Sequence, residues 1–155
     1  MKKLLVAGLL LLATIAGAQT PEAASAFLIG PTYDGEGVSI RLGGARQIAG
    51  RTWIAGFAQL GSTVEAGGEV IILLKTSIKG LTVGPIGGVV GDWSTEPGVG
   101  GDPLGTYLIG LTGVASTYSI SENMGSWAYL KYATSFEESA YDDGWTGGFG
   151  LWFLL

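Results

Sequence analysis

From Trp145 to Leu155 the odd-numbered side chains Phe149, Leu151, Phe153 and Leu155 are all apolar. A two-residue period belongs to a β-strand. The run Leu151-Trp152-Phe153-Leu154-Leu155 is too greasy for a solvated terminus, but it suits a strand whose outer face meets lipid. After Thr20, glycines and polar residues interrupt every apolar run. No segment there reaches the ~20 apolar residues of a membrane helix. A membrane-spanning form of this chain must therefore be a closed barrel of strands, which satisfies all its own backbone groups.

The first residues support export. Lys2 and Lys3 are a basic n-region, Leu4 to Ile15 an apolar stretch, and Ala16-Gly17-Ala18 an A-x-A cleavage site. This is the pattern of a secretory signal peptide, too short in its apolar part for an anchor. Residues 1–18 are expected to be removed, leaving a barrel domain over 19–155. Loss of Lys2 and Lys3 leaves six basic residues against thirteen acidic ones, a net charge of −7 that argues against a nucleic-acid partner. The chain has no cysteine, which excludes a disulfide scaffold and a lipid-modified cysteine at the cleavage site. It also has no histidine, the commonest general base and metal ligand.

Eight segments carry strand character: 25–33, 37–48, 51–60, 69–78, 81–93, 106–120, 125–137 and 145–155. Their connections alternate in length. Short turns are expected at Ala49-Gly50, Lys79-Gly80 and Ser121–Met124, and longer loops at 34–36, 61–68, 94–105 and 138–144. An even strand count with such alternation predicts an all-β fold, an eight-stranded antiparallel up-and-down transmembrane β-barrel with both termini at the short-turn end.

Residues flanking a two-residue turn face the same side of a hairpin, which predicts the lipid-facing sets. Across Lys79-Gly80, Val70, Ile72, Leu74 and Ile78 share the outer face with Leu81, Val83, Val89 and Trp93. Across Ala49-Gly50 the outer set is Val38, Ile40 and Leu42 with Trp53, Ala55 and Phe57. Across Ser121–Met124 it is Tyr107, Ile109 and Leu111 with Leu130, Tyr132 and Phe136. At the loop end this parity collects Tyr33, Trp93, Tyr107, Phe136 and Trp145, an expected aromatic girdle at the membrane interface. Acidic residues (Asp34, Glu36, Glu65, Glu69, Asp92, Glu96, Asp102, Glu137, Glu138, Asp142, Asp143) are assigned to the loops or their edges. No loop has a metal-ligand spacing, so they are expected to be solvated, the alternative being a rim that binds divalent cations bridging to an anionic surface.

With these residues in view, the chain resembles the small eight-stranded outer-membrane proteins: the OmpA membrane domain, OmpX-like proteins and opacity-type adhesins. The resemblance covers residues 19–155 as architecture. Its most specific part is a C-terminal assembly signal matched by Gly150, Phe153 and Leu155, with Gly148 in place of a polar residue and Leu rather than Phe at the end. It implies residence in a Gram-negative outer membrane and contact with its lipid and lipopolysaccharide. It also implies handling by periplasmic chaperones and the barrel-assembly machinery, a monomeric state, and no cofactor.

Enzymatic barrels of similar architecture use histidine, so their activities do not transfer. Lys75, Ser77, Lys131 and Ser135 take inward parity, but such residues in a barrel are ordinarily lumen packing. The inward set also includes Ser39, Gln47, Thr112 and Ser116. Its charged and phenolic candidates are Arg41, Glu69, Lys75, Tyr118, Tyr129, Lys131 and Glu137. Eight strands leave little more than side-chain space inside, which excludes a wide porin channel and predicts a polar plug. The expected role is non-catalytic, in envelope structure or surface interaction. The alternatives are a narrow gated pore, or a soluble periplasmic barrel binding an apolar ligand. Pro31 and Pro85 fall within strands behind Gly30 and Gly84, where a bulge is expected to absorb the missing N–H.

Overall fold

The computed structural model describes residues 24–33, 37–61, 63–94, 106–135 and 144–155, with the backbone alone at 63, 92–94, 106–108 and 135. The strands are β1 (Ser25–Tyr33), β2 (Val38–Ala49), β3 (Thr52–Leu60), β4 (Thr63–Ile72), β5 (Leu74–Lys75), β6 (Leu81–Ser94), β7 (Thr106–Ser119), β8 (Met124–Ser135) and β9 (Gly144–Leu154). β4 and β5 both pair with β6, so together they form one stave. Each stave is antiparallel to the next, and β9 pairs back onto β1 through Phe27↔Phe153 and Ile29↔Leu151. The result is a closed eight-stranded up-and-down β-barrel. Closure removes the free edges that would otherwise expose unpaired backbone groups.

The fourth stave begins earlier than its sequence suggests. Glu65 and Glu69 lie within β4, paired with Gln59 and Ala55, so the expected long loop over 61–68 is a short connection at 61–62. The stave ends at Lys75, and Thr76 closes the following turn by accepting from Ile78 N and donating to backbone carbonyls. Gly50 and Gly80, at φ of 48° and 83°, supply the left-handed backbone conformation that two of the turns require.

Side-chain parity follows the expectation on β1, β2, β4, β6, β8 and β9, and is reversed on β3 and β7. In the first reversed hairpin Ala49 pairs with Thr52, but Gln47 pairs with Trp53, so one residue is extra between them. This bulge turns Ala55 and Phe57 inward, both buried, and leaves Ile54 and Leu60 exposed outside. In the second, Ser119 pairs with Gly125, and both Ile120 and Ser121 donate to Met124 O. The turn is one residue longer than read, and Ile109 and Leu111 are buried in the lumen. A one-residue slip exchanges the two faces of a strand.

The prolines are accommodated without bulges. Pro31 stays in register with Ile40 on one side, while the β1–β9 ladder skips positions 30 and 31 and resumes at Thr32↔Gly148 in the same register. Pro85 stays in register with Val114, and opposite it the fourth stave breaks between Ile72 and Leu74. A strand inside a barrel has two ladders, and each proline interrupts only one of them.

The outer wall is apolar around its circumference, with Ile29, Ile40, Ile54, Val70, Val89, Val114, Leu130 and Phe149 all exposed, Phe149 by 66%. Isolated exposed apolar side chains are ordinary, but a continuous belt far exceeds the patches of soluble monomers.

Candidate functional site in the lumen

The lumen is organised around one carboxylate. Glu69 of β4 accepts from Arg41 of β2 at both oxygens, Nη1 lying 3.3 Å from Oε1 and Nη2 closing on Oε2. Lys131 of β8 reaches Glu69 Oε1 from across the barrel at 2.5 Å. The three residues are 3%, 3% and 1% exposed in that order. Unpaired charges buried this deeply would cost several kcal/mol each, so the cluster holds because one anion serves two cations with hydrogen-bonded geometry.

Two aromatic rings enclose the cations. The Arg41 guanidinium carbon lies 3.7 Å from the Phe57 ring centre and 5.0 Å from that of Tyr129. Lys131 Nζ lies 3.9 Å from the Tyr129 centre and 5.4 Å from that of Phe57. The π faces thus take up part of the positive charge, and the buried Glu65 lines the same loop-side space as Arg41 and Lys131. Room for these groups comes from glycines on the facing strands. A Cβ at Gly88 would meet Glu69 Cγ at 2.8 Å, one at Gly148 the Tyr129 ring at 2.9 Å, and one at Gly67 Phe57 Cζ at 3.0 Å. Without those three glycines the central layer would not close.

Above and below this layer the lumen differs. On the loop side Phe57, Val90, Ile109, Leu111 and Ala133 form a buried apolar cluster. A space of about 20 Å³ remains there, enough for about one water. On the turn side Ile86, Ala115, Trp127 and Tyr129 form a second cluster around a cavity of about 280 Å³. Arg41 and Glu69 are its roof.

The sequence candidates separate accordingly. Arg41, Glu69, Tyr129 and Lys131 come together at the centre. Lys75, in the two-residue β5, pairs with Thr82 on the inward parity of β6 but is exposed near the turn, and Ser77 is exposed in the turn itself. Thr112 and Tyr118 are exposed on β7, whose inward parity is the odd one above the turn; Tyr118 lies at the turn end. Tyr33 and Trp145 are exposed on the outer wall at the loop end, and Trp145 meets Tyr132 edge to face at 5.3 Å. Glu137, Phe136, the side chains of Asp92, Trp93, Tyr107 and Ser135, the acids Asp34, Glu36, Glu96, Asp102, Glu138, Asp142 and Asp143, and residues 1–18 lie outside the described residues. Gly150 faces β1 where the two backbones approach closely, and Phe153 and Leu155 continue the outer parity of β9. Phe57, Ile109 and Leu111 were missed as lumen residues because their strands were assigned the wrong face.

No protein-family model matches the chain, and no curated protein matches it in sequence. Solved structures share its fold, among them these two. The N-terminal β-barrel domain of Pseudomonas aeruginosa OprF superposes with a TM-score of 0.68 at 15% identity, over 86% of this chain and 97% of that one. A designed transmembrane β-barrel superposes with a TM-score of 0.53 at 13% identity, over 88% and 98%. The chain is therefore an eight-stranded antiparallel barrel of the transmembrane type, with a lumen crossed by the Arg41–Glu69–Lys131 cluster.

Proposed function

We propose that this chain is a small integral barrel of the bacterial outer membrane, exported through cleavage of residues 1–18, with a non-catalytic role in envelope structure or surface interaction. The observation that carries this reading is the inversion of a soluble fold's polarity: an apolar belt outside and buried charges inside. The same cluster, roofed by Phe57, Ile109 and Leu111, fills the barrel cross-section, which favours a body anchored in lipid over a conduit. Gly150, Phe153 and Leu155 serve as the assembly signal, and outer-membrane lipid and lipopolysaccharide surround the belt.

Cell fractionation with heat-modifiable gel migration tests the membrane assignment. The protein is expected in the outer-membrane fraction, with unboiled samples running faster. A soluble periplasmic pool of folded protein would overturn it. A second reading, a narrow gated pore, draws on the dependence of the seal on one carboxylate. Planar-bilayer recordings separate the two: wild-type protein and Lys131→Met are both expected to be silent, whereas discrete conductance that changes in Lys131→Met would favour the pore.

A further inference from the structure

The turn-side cavity is hollow in a molecule whose other half is packed, and its wall has a defined chemistry. Ala26, Ala45, Ile86, Ala115 and Leu154 present hydrocarbon, and Trp127 stacks flat on Tyr129 with ring centres 5.5 Å apart. Small side chains at 26, 45 and 115 are what keep the space open. Its volume, about 280 Å³, lies just below the usual range for drug-sized ligands and suits a smaller molecule. The hydrocarbon part of this wall offers water no partners, and a well-held water needs two to four.

Ser116, Thr117 and Ser119 line the cavity toward the turn end of β7, and its other polar groups are few and specific. Arg41 and Glu69 at the roof bond each other. Glu122, exposed in the turn after β7, lies at the open end and repels anions. Trp127 Nε1 donates to Leu151 O at 3.0 Å. Trp152 Nε1 is buried with no acceptor among the described residues, although its indole also lines the cavity. Among the described residues it is the wall ring whose buried N–H lacks a partner.

We infer that the turn-side lumen is a binding site for a small uncharged molecule with a hydrocarbon or aromatic body and one hydrogen-bond acceptor, which Trp152 engages by a small rotation of its ring. An acid finds Glu122 in its path and no free cation at the roof. A base finds Glu69 already shared between two cations.

Tryptophan indole signals of ¹⁵N-labelled protein, refolded in detergent and titrated with p-cresol, test the site. The Trp152 N–H is expected to shift saturably and downfield, and the Trp127 N–H to move less. Trp145, on the lipid face, reports partition into the micelle. Benzoate at the same concentrations is expected to leave Trp152 unmoved. Filling the cavity by Ala115→Phe, or by Ala45→Phe if the first fails to show the folded gel band, is expected to weaken p-cresol binding by about tenfold or more. A Trp152 shift no larger than that of Trp145, or one that survives both fillings, would overturn the inference. Equal binding of benzoate would overturn the assigned ligand class.

Discussion

The two halves of the lumen are built from the same strands and differ in what fills them. On the loop side Phe57, Ile109 and Leu111 close the space to about 20 Å³; on the turn side Ala26, Ala45 and Ala115 leave about 280 Å³. The layer of Arg41, Glu69 and Lys131 separates them. The contrast teaches that a barrel's circumference is set by its backbone, whereas its porosity is set by side-chain volume at a few inward positions. Eight strands permit a sealed half and a hollow half in one molecule.

The largest effect is expected at the boundary. Glu69→Gln leaves Arg41 and Lys131 buried together without the carboxylate they share, and should destabilise the barrel by about 3–5 kcal/mol. Urea-dependent unfolding in lipid vesicles, followed by loss of the fast-migrating gel band, measures it. A loss below about 1 kcal/mol would mean that water already reaches the cluster, and the division into two halves would fail.

Phe57→Ala tests the sealed half. It removes a buried ring that packs on Arg41 and over Gly67, with an expected loss of about 3–5 kcal/mol by the same assay. A loss near that of an exposed-surface change would show that the loop side is not tightly packed.

The smallest effects give the sharpest comparison. Ala133→Leu adds volume to the filled half and should cost about 1–3 kcal/mol. Ala115→Leu adds the same volume to the hollow half, where there is space for it, and should change stability by no more than about 0.5 kcal/mol. Equal costs at the two alanines would erase the distinction between the halves.

Much of the barrel was legible in the alternation of apolar residues and in the turns. The face of a strand was legible only where the turn length was read with the right parity. The turn after Lys75 was misread by two positions and the hairpin still came out correctly, because a shift of two preserves the faces. The bulge near Ile48 and the five-residue turn at 120–124 each shifted the count by one and inverted β3 and β7. Hydrophobicity could not correct this. On β3 both faces carry large apolar side chains, Phe57 inward and Ile54 and Leu60 outward, so apolarity alone does not separate them. Arg41, Glu69, Tyr129 and Lys131 were recoverable because they lie mid-strand on staves whose parity was right. Their convergence on one carboxylate was not legible, since it depends on the stagger of β2, β4 and β8 around the ring.

Pro31 has a consequence beyond its own missing donor. The seam it interrupts joins β1 to β9, the pair most distant in the chain and the last loop that the polypeptide must close. Pairing there skips two positions just where Gly30 and Gly150 let the backbones come close. Amide hydrogens along this seam should exchange with solvent sooner than those of the unbroken β6–β7 ladder. The cylinder therefore has a built-in opening line, along which its first and last strands part more readily than the strands of an unbroken ladder.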